Sequence, residues 1–136
     1  MSAKRAILDT NLWISFLISK NTLIETLLST KKLQLVFSNE LLDEFIEVAK
    51  RPKLKAYFTS NSVENLLRLF SEYAELIEVT SVINICRDYK DNFLLALAID
   101  SQADFLVTGD NDLLVLKNIR DTEIISFAEL IEKLKA

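Results

Sequence analysis

Acidic residues stand at the ends of two short strand-like segments, where their side chains could act together. Asp9 directly follows residues 5–8, and Asp110 and Asp112 follow residues 105–107. If these segments are neighbouring strands of a parallel sheet, their carboxyl ends lie at one edge, where the sites of such sheets form. Several carboxylates in one place repel one another unless protons or cations neutralise them. The spacing therefore favours a divalent-cation site, and Mg2+ can orient a water molecule against a phosphodiester.

Two further acids lie on predicted helices that begin near the same edge. Asp91 opens the helix 91–101, and Glu44 lies on the helix that follows the strand 34–37. Taken singly, an aspartate at a helix start is most often only a cap, and a helical glutamate most often faces solvent. The joint placement of the acids favours a functional cluster over these separate explanations. Purely structural roles are expected for Asp88, Asp100 and Asp104.

Short apolar strands alternate with helices along the whole chain. Strands are expected at 5–8, 34–37, 77–82, 105–107 and 123–125. Helices are expected at 12–18, 23–30 after a cap at 21–22, 39–49, 62–75, 91–101 and 127–134. Because each parallel pair of strands needs a crossover connection, this order predicts an α/β fold with a central, mostly parallel sheet of about five strands.

Missing residue types exclude several kinds of enzyme. The chain has no histidine, so a Ser-His-Asp triad, a Cys–His pair and a histidine-ligated zinc site are excluded. Its single glycine, Gly109, cannot build a phosphate-binding loop or a dinucleotide motif, which need several glycines at fixed spacing. Cys86 is the only cysteine, which excludes an intrachain disulfide and indicates a buried, inert thiol. Carboxylates with a hard cation remain as hydrolytic chemistry.

Length and hydropathy predict one domain, residues 1–136, in the cytoplasm. A chain of 136 residues, half of them apolar, has the commonest single-domain size and can bury a real core. The longest unbroken apolar run, residues 93–99, is far too short to span a bilayer. The first seven residues lack the long apolar region and cleavage site of a signal peptide. We therefore expect a soluble protein that does not contact membranes.

One segment is strongly cationic in a chain whose net charge is −4. Four of the residues 50–55 are cations, and Tyr57 and Phe58 follow them. Two explanations stay open: the segment guides a nucleic-acid strand, with bases stacking on the rings, or its cations simply favour a helix C-terminus. Trp13 is open in the same way, between stacking on a base and filling the core. The four cations are Lys50, Arg51, Lys53 and Lys55.

Four blocks of sequence, taken in order, resemble the PIN-domain family. They are AILDTN at 6–11, SNELLDE at 38–44, CRDYKDN at 86–92 and VTGDNDL at 107–113. The similarity covers essentially the whole chain and is greatest to the VapC-like toxin components of toxin–antitoxin systems. It implies a three-layer α/β/α sandwich and a metal-dependent endoribonuclease that hydrolyses RNA with a metal-activated water molecule.

The resemblance also implies roles for individual residues. The expected catalytic residues are Asp9, Glu44, Asp91 and Asp110. The expected ligands of Mg2+, for which Mn2+ can substitute, are Asp9, Asp91, Asp110 and Asp112. Hydrogen bonds from Thr10, Asn11 and Thr108 are expected to shape the site. Asn92 stands where many relatives have a further acid, so one bound ion is an alternative to two.

The same resemblance implies an RNA substrate, an antitoxin protein and a second copy of the chain as partners. Two alternatives stay open: a non-catalytic RNA-binding or protein-interaction module that keeps the fold, and an RNA-processing nuclease without an antitoxin. Two other acidic, magnesium-binding folds fit worse. A receiver domain requires an adjacent acidic pair after the first strand, and a dehalogenase-like phosphatase requires Asp-x-Asp-x-Thr where residues 9–13 read DTNLW.

Overall fold

A six-stranded sheet forms the centre of the fold. The computed structural model describes residues 3–19, 23–54, 68, 72 and 74–135. The strands are β1 (Lys4–Leu8), β2 (Leu33–Phe37), β3 (Ala74–Leu76), β4 (Phe105–Val107), β5 (Asn118–Ile119) and β6 (Thr122–Ile125). Their order is β3-β2-β1-β4-β6-β5, and every neighbouring pair is parallel except β5 and β6. The predicted parallel sheet is confirmed, and the short antiparallel β5 is an addition to it.

Helices cover both faces of this sheet. They are α1 (Thr10–Ser19), α2 (Leu23–Ser29), α3 (Asn39–Ala49), α4 (Tyr89–Ser101), α5 (Asn111–Leu114) and α6 (Phe127–Leu134), with a 3-10 turn at Pro52–Leu54. One face packs against α1, α2, α3 and α6, and the other packs against α4 and α5. Helix, sheet and helix form the three layers that the sequence predicts.

The central strand β1 is apolar on both sides because both of its faces are covered. Successive strand residues point to opposite faces, so Ala6 and Leu8 join one core cluster while Ile7 joins the other. Trp13 lies in the first cluster, 3% exposed, with its ring centroid 6.5 Å from that of Phe16. Of the two explanations for Trp13, the structure therefore supports packing in the core.

The third strand lies earlier in the chain than predicted. It is β3, which pairs in parallel with β2 through Leu35 and Ala74, and the strand predicted at 77–82 is wrong because that segment is irregular. Asp100 on α4 accepts hydrogen bonds from the backbone N–H groups of Thr80 at 2.6 Å and Ser81 at 2.9 Å. These donors are therefore not available to a neighbouring strand, and Asp100 has the structural role expected of it.

Several predictions fall wholly or partly outside the described residues. Most of the helix predicted over 62–75 does so; Arg68 and Glu72 are helical, and Ala74 and Glu75 belong to β3 instead. No helix among the described residues has the length and apolarity needed to cross a membrane. Also outside are the cap at 21–22, Lys55, Tyr57 and Phe58.

Polar residues follow four adjacent parallel strands at one edge of the sheet. They are Ser38 after β2, Asp9 after β1, Thr108 after β4 and Ser126 after β6. Helices begin directly after three of these strands. Ser38 caps α3 by accepting a hydrogen bond from Leu41 N at 3.2 Å, and Ser126 forms a capping box with Glu129 at the start of α6. The edge therefore combines carboxylates with helix N-termini.

Candidate active site

Asp9 is held at the end of β1 by the neighbouring strand β4. Leu8 lies opposite Val107 in the parallel pair, so Asp9 and Thr108 follow at the same level. The fully buried Thr108 hydroxyl donates a hydrogen bond to Asp9 Oδ2 at 2.8 Å and accepts one from Asp110 N at 3.0 Å. One threonine therefore sets the positions of two acidic residues.

The surroundings of Asp9 change the pKa of its carboxyl in both directions. Burial raises the pKa of this carboxyl, and the negative charge of Asp110 adds to the increase. Hydrogen bonds from the Thr108 hydroxyl and from the backbone N–H groups of Asn11 and Thr10 lower the pKa. Thr10, Asn11 and Thr108, the residues expected to shape the site, thus all donate to Asp9.

Asp91 and Asp110 form a pair of close carboxyls. Asp91 lies in the first turn of α4 and is buried, and Asp110 is the N-cap of α5, where its Oδ1 accepts from Asp112 N at 2.9 Å. Burial of Asp91, followed by the charge and hydrogen bond of Asp110, raises the pKa of Asp91 to about 7. Close acids disfavour double ionisation, so Asp91 keeps its proton to a higher pH than an isolated carboxyl does.

Glu44 approaches the cluster from α3. Its side chain is half-buried, and burial raises its pKa, as does the nearby charge of Asp9. Lys90 on α4 lowers the pKa of Glu44, which places an ammonium group close to this carboxylate. The structure therefore brings Asp9, Glu44, Asp91 and Asp110 together at one edge of the sheet.

Asp112 lies on the rim of the cluster and is paired with Arg87. Arg87 Nη2 lies 3.1 Å from Asp112 Oδ2 and 3.3 Å from its Oδ1, and both side chains are mostly exposed. Exposed ion pairs contribute little to stability because water screens them. Asp112 is therefore weakly held and can exchange one cationic partner for another.

The donor set fits a hard divalent cation. Carboxylate oxygens are the ligands that Mg2+ prefers. Burial first, and neighbouring negative charge in addition, raise the pKa values of Asp9, Glu44 and Asp91, and a cation would offset both effects. Thr10 Oγ1 is buried and has no partner at hydrogen-bond distance and angle in the described part of the chain. It lies near Glu44, and this proximity lowers the pKa of the Glu44 carboxyl. Among the described residues, no three acidic or cysteine side chains are arranged so that all three could hold one metal ion. Mg2+ keeps several water ligands and needs only one or two carboxylates, so these residues suit it.

The predicted cationic segment lies away from this cluster. Lys50, Arg51 and Lys53 come after the end of α3, and Lys50 is six residues beyond Glu44. Six residues of helix correspond to about 9 Å of rise, directed away from the carboxyl edge. Contact of these cations with a strand bound at the acids stays a prediction.

Sequence reasoning gave no role to Arg87 or Lys90. Both lie in the block 86–92, next to Asp91, and that adjacency was the available signal. Their partners, Asp112 for Arg87 and Glu44 for Lys90, lie on other helices, so these contacts are set by the tertiary structure.

Cys86 is half-buried instead of fully buried, and burial and nearby acids, Asp91 first, raise the pKa of its thiol. A protonated thiol agrees with the expected inertness.

Asn92 holds the segment before α4 in place. Its Oδ1 accepts hydrogen bonds from Ile85 N at 3.0 Å and Cys86 N at 2.8 Å, and its Nδ2 donates to Cys86 O at 3.1 Å. The side chain is buried, and all three bonds face the backbone. Asn92 therefore supports the loop that leads to Asp91, and its amide uses both a donor and an acceptor there.

Replacing Asn92 with alanine is expected to destabilise the protein by ~2 kcal/mol, because backbone donors lose their partner in a partly buried place. Chemical denaturation monitored by circular dichroism measures this change in the free energy of unfolding. Asn84→Ala, at an exposed position of the same segment, is the matched control and should change it by less than ~0.5 kcal/mol. Equal effects of the two substitutions would contradict the supporting role of Asn92.

Comparisons with known proteins agree with this geometry. A family model described as the PIN domain matches residues 5–112, a range that contains all five acids of the edge. The chain is 32% identical over 118 residues to the uncharacterized protein MJ1680 of Methanocaldococcus jannaschii, and the match covers 84% of this chain and 76% of that protein. Its fold is similar to a chain in the crystal structure of VapBC2 from Rickettsia felis bound to a DNA fragment from their promoter. That match has a TM-score of 0.54 and 20% identity, and it covers 88% of this chain and 96% of the other.

Proposed function

This chain belongs to the PIN-domain family, and on that premise we propose that it is a Mg2+-dependent endoribonuclease, the toxin of a type II toxin–antitoxin system. PIN domains are generally nucleases. The observation that carries the proposal is the convergence of Asp9, Glu44, Asp91 and Asp110, three of them with a raised pKa. Burial and mutual repulsion disfavour the ionised form of these carboxyls, and a bound cation would offset this cost. The cation could in turn bind the phosphates of a polyanionic substrate.

Asp9, Asp91 and Asp110 would hold the ion, with Asp112 as a further ligand from the rim. A bound Mg2+ supplies an oriented water molecule and stabilises negative charge on the phosphate, and Mn2+ can substitute for it. Glu44 would accept a proton from the water that attacks the scissile phosphorus in line, while the bond from phosphorus to the leaving oxygen breaks and that oxygen takes a proton from solvent. The raised pKa of Glu44 makes it a better base near neutral pH. Thr108 keeps Asp9 and Asp110 in register during the reaction.

The toxin role adds an antitoxin, a homodimer and a cytoplasmic location to the proposal. The fold similarity to VapBC2 and the four sequence blocks support the toxin–antitoxin assignment. Light scattering on the purified protein measures the mass of the particle. A dimer is expected, and a monomer at micromolar concentration would remove that part of the proposal.

Incubation of the purified protein with a panel of RNAs tests the activity. Cleavage is expected with Mg2+ or Mn2+, and none is expected with EDTA or with the double variant Asp9→Asn, Asp110→Asn. Asp43→Asn is a matched control, since Asp43 is exposed on α3 next to Glu44. Binding of RNA without cleavage would favour the non-catalytic RNA-binding module, and equal cleavage by the double variant would refute the assigned site.

Thr108→Val is expected to weaken Mg2+ binding about 10- to 100-fold, as loss of a residue that orients a metal ligand typically does. Valine fills the same buried space but leaves Asp9 Oδ2 and Asp110 N without their common partner. Titration calorimetry measures the affinity, and Thr108→Ser, which keeps the hydroxyl, should recover most of it. Wild-type affinity in the valine variant would show that Thr108 does not position the ligands.

A further inference from the structure

An exposed pair of aromatic rings lies on the first turns of α4, beside the acid cluster. Tyr89 and Phe93 are one helical turn apart, and their rings meet edge to face with centroids 5.6 Å apart and an interplanar angle of 85°. Tyr89 is 64% exposed and Phe93 is 46% exposed. Two large rings in contact form a continuous apolar patch, which marks a contact surface more often than a single exposed ring does.

The ring of Phe93 also lines a groove that reaches the acid cluster. The groove lies between α3 and α4, is shallow, with a cavity volume of about 10 Å3, and has Glu44 and Lys90 in its walls. Glu44 is the proposed proton acceptor. A group bound at the mouth of this groove would therefore lie close to Glu44.

Cations stand on the same part of α4 and just before it. Lys90, which lies between Tyr89 and Phe93 in the chain, lines the groove. Arg87 extends from the preceding loop, where its side chain is 89% exposed and paired with Asp112. Glu40 lines the groove as well, so an anionic group is expected on the Lys90 side. Cations next to exposed rings match a ligand that carries both flat bases and phosphates.

We propose that the exposed ring pair at the mouth of this groove forms a nucleotide subsite for single-stranded RNA. A base next to the scissile phosphodiester stacks on the face of Phe93, Tyr89 borders that base because its ring is nearly perpendicular to Phe93, and Lys90 contacts a backbone phosphate. Stacking requires an unpaired base, because a base inside a duplex keeps its faces covered by its neighbours. The inference rests on the proposed nuclease function and assigns base- and phosphate-binding residues beside the same site.

Binding without cleavage gives the sharpest test. Fluorescence anisotropy of a labelled single-stranded oligoribonucleotide is measured with Mg2+ in an Asp9→Asn background, where cutting does not interfere. Phe93→Leu should weaken binding about 5- to 100-fold, the range for losing one stacked base. Phe93→Tyr should restore it. Val82→Ala, which also removes exposed apolar surface, is the control expected to change nothing.

The salt dependence of binding tests Lys90 separately. Lys90→Gln should reduce the slope of log affinity against log salt by about 0.7, the contribution of one phosphate contact to a single strand. Phe93→Leu should leave this slope unchanged. Lys4→Gln is the matched control, because Lys4 is exposed at the start of β1, at the opposite edge of the sheet.

Three results separate the proposals from one another. Unchanged RNA affinity in both Phe93→Leu and Tyr89→Leu overturns the subsite, and a change in their sedimentation coefficient would then identify the rings as a protein contact. If wild-type protein cleaves RNA with the same KM as these variants, the subsite fails while the nuclease stands. If no RNA is cleaved but the binding changes occur as expected, the nuclease fails and the subsite stands as an RNA-binding site.

Discussion

Replacing Asp9 with asparagine is expected to lower the rate of RNA cleavage roughly a thousandfold or more. Removing a single hydrogen-bond donor that stabilises transition-state charge already costs a comparable factor in rate. Asparagine has nearly the same shape, and its Oδ1 can still accept the hydrogen bond from Thr108. The substitution removes a buried negative charge that the protein tolerates only with support, so the fold should persist. The variant would lose affinity for the cation, and with it the phosphodiester hydrolysis that depends on the cation.

Single-turnover cleavage rates with saturating Mg2+ measure this effect, and circular dichroism confirms that each variant is folded. Asp121→Asn is the matched control, because Asp121 is exposed in the turn between β5 and β6. It should cleave at the wild-type rate. A folded Asp9→Asn protein that cleaves as fast as the wild type would show that the strand-end aspartate is not part of the active site.

Replacing Asp91 with asparagine is expected to stabilise the cation-free protein at neutral pH. Folding raises the pKa of Asp91 from 3.8 to about 7, mainly through burial and then through Asp110. A carboxyl with a higher pKa in the folded state binds its proton more tightly there, so its favourable contribution is complete below about pH 4 and is lost as the pH rises to about 7. Ionised Asp91 therefore opposes folding at neutral pH until a cation neutralises the pair, and asparagine removes this opposition.

In EDTA at about pH 8, the Asp91→Asn protein should melt about 4 °C or more above wild type, which corresponds to ~1 kcal/mol in a domain of this size. At about pH 5 the difference should shrink. Mg2+ should raise the Tm of the wild type and change that of the variant little, because a ligand stabilises only the state that binds it. Asp88→Asn is the matched comparison: Asp88 is the exposed N-cap of α4, and asparagine caps equally well. Its charge raises the pKa of Asp91 less than burial and Asp110 do, so a smaller effect of the same sign is expected.

A variant that melts below the wild type under these cation-free conditions would mean that burial and Asp110 together do not oppose the ionisation of Asp91. An unchanged Mg2+ response in Asp91→Asn would instead remove Asp91 from the ligand set. Since Asp88 and Asp91 are only one helical turn apart, the comparison of these two variants tests the assignment directly.

The sequence was sufficient to identify the fold class and two of the strand-end acids. Asp9 and Asp110 follow short apolar strands, and the strand pattern and the turn after it are both local properties. In a parallel sheet the carboxyl ends meet at one edge whatever the details of packing, so the convergence of these acids follows from topology. The order of the four blocks indicated the family, and the match of residues 5–112 confirms it.

Which face of each helix meets the cluster depended on the tertiary structure. Helix α4 is buried on most sides, so its sequence carries no clear polar face from which to choose between Asp88 and Asp91. In the structure Asp91 is buried beside Asp110, and Asp88 caps the helix. Lys90 likewise acquires its place only because α4 packs next to α3 and Glu44.

Long-range partners also decided the features for which the sequence was misleading or silent. Asp112 pairs with Arg87 across 25 positions of the chain, and Asp100 takes the backbone donors of a segment that resembles a strand. The true third strand, β3, has only three residues, too few to show a periodic pattern. Strand periodicity and turn residues are local and can be read from the chain, whereas hydrogen-bond partners and helix orientation depend on which distant groups compete for the same donors and the same buried space.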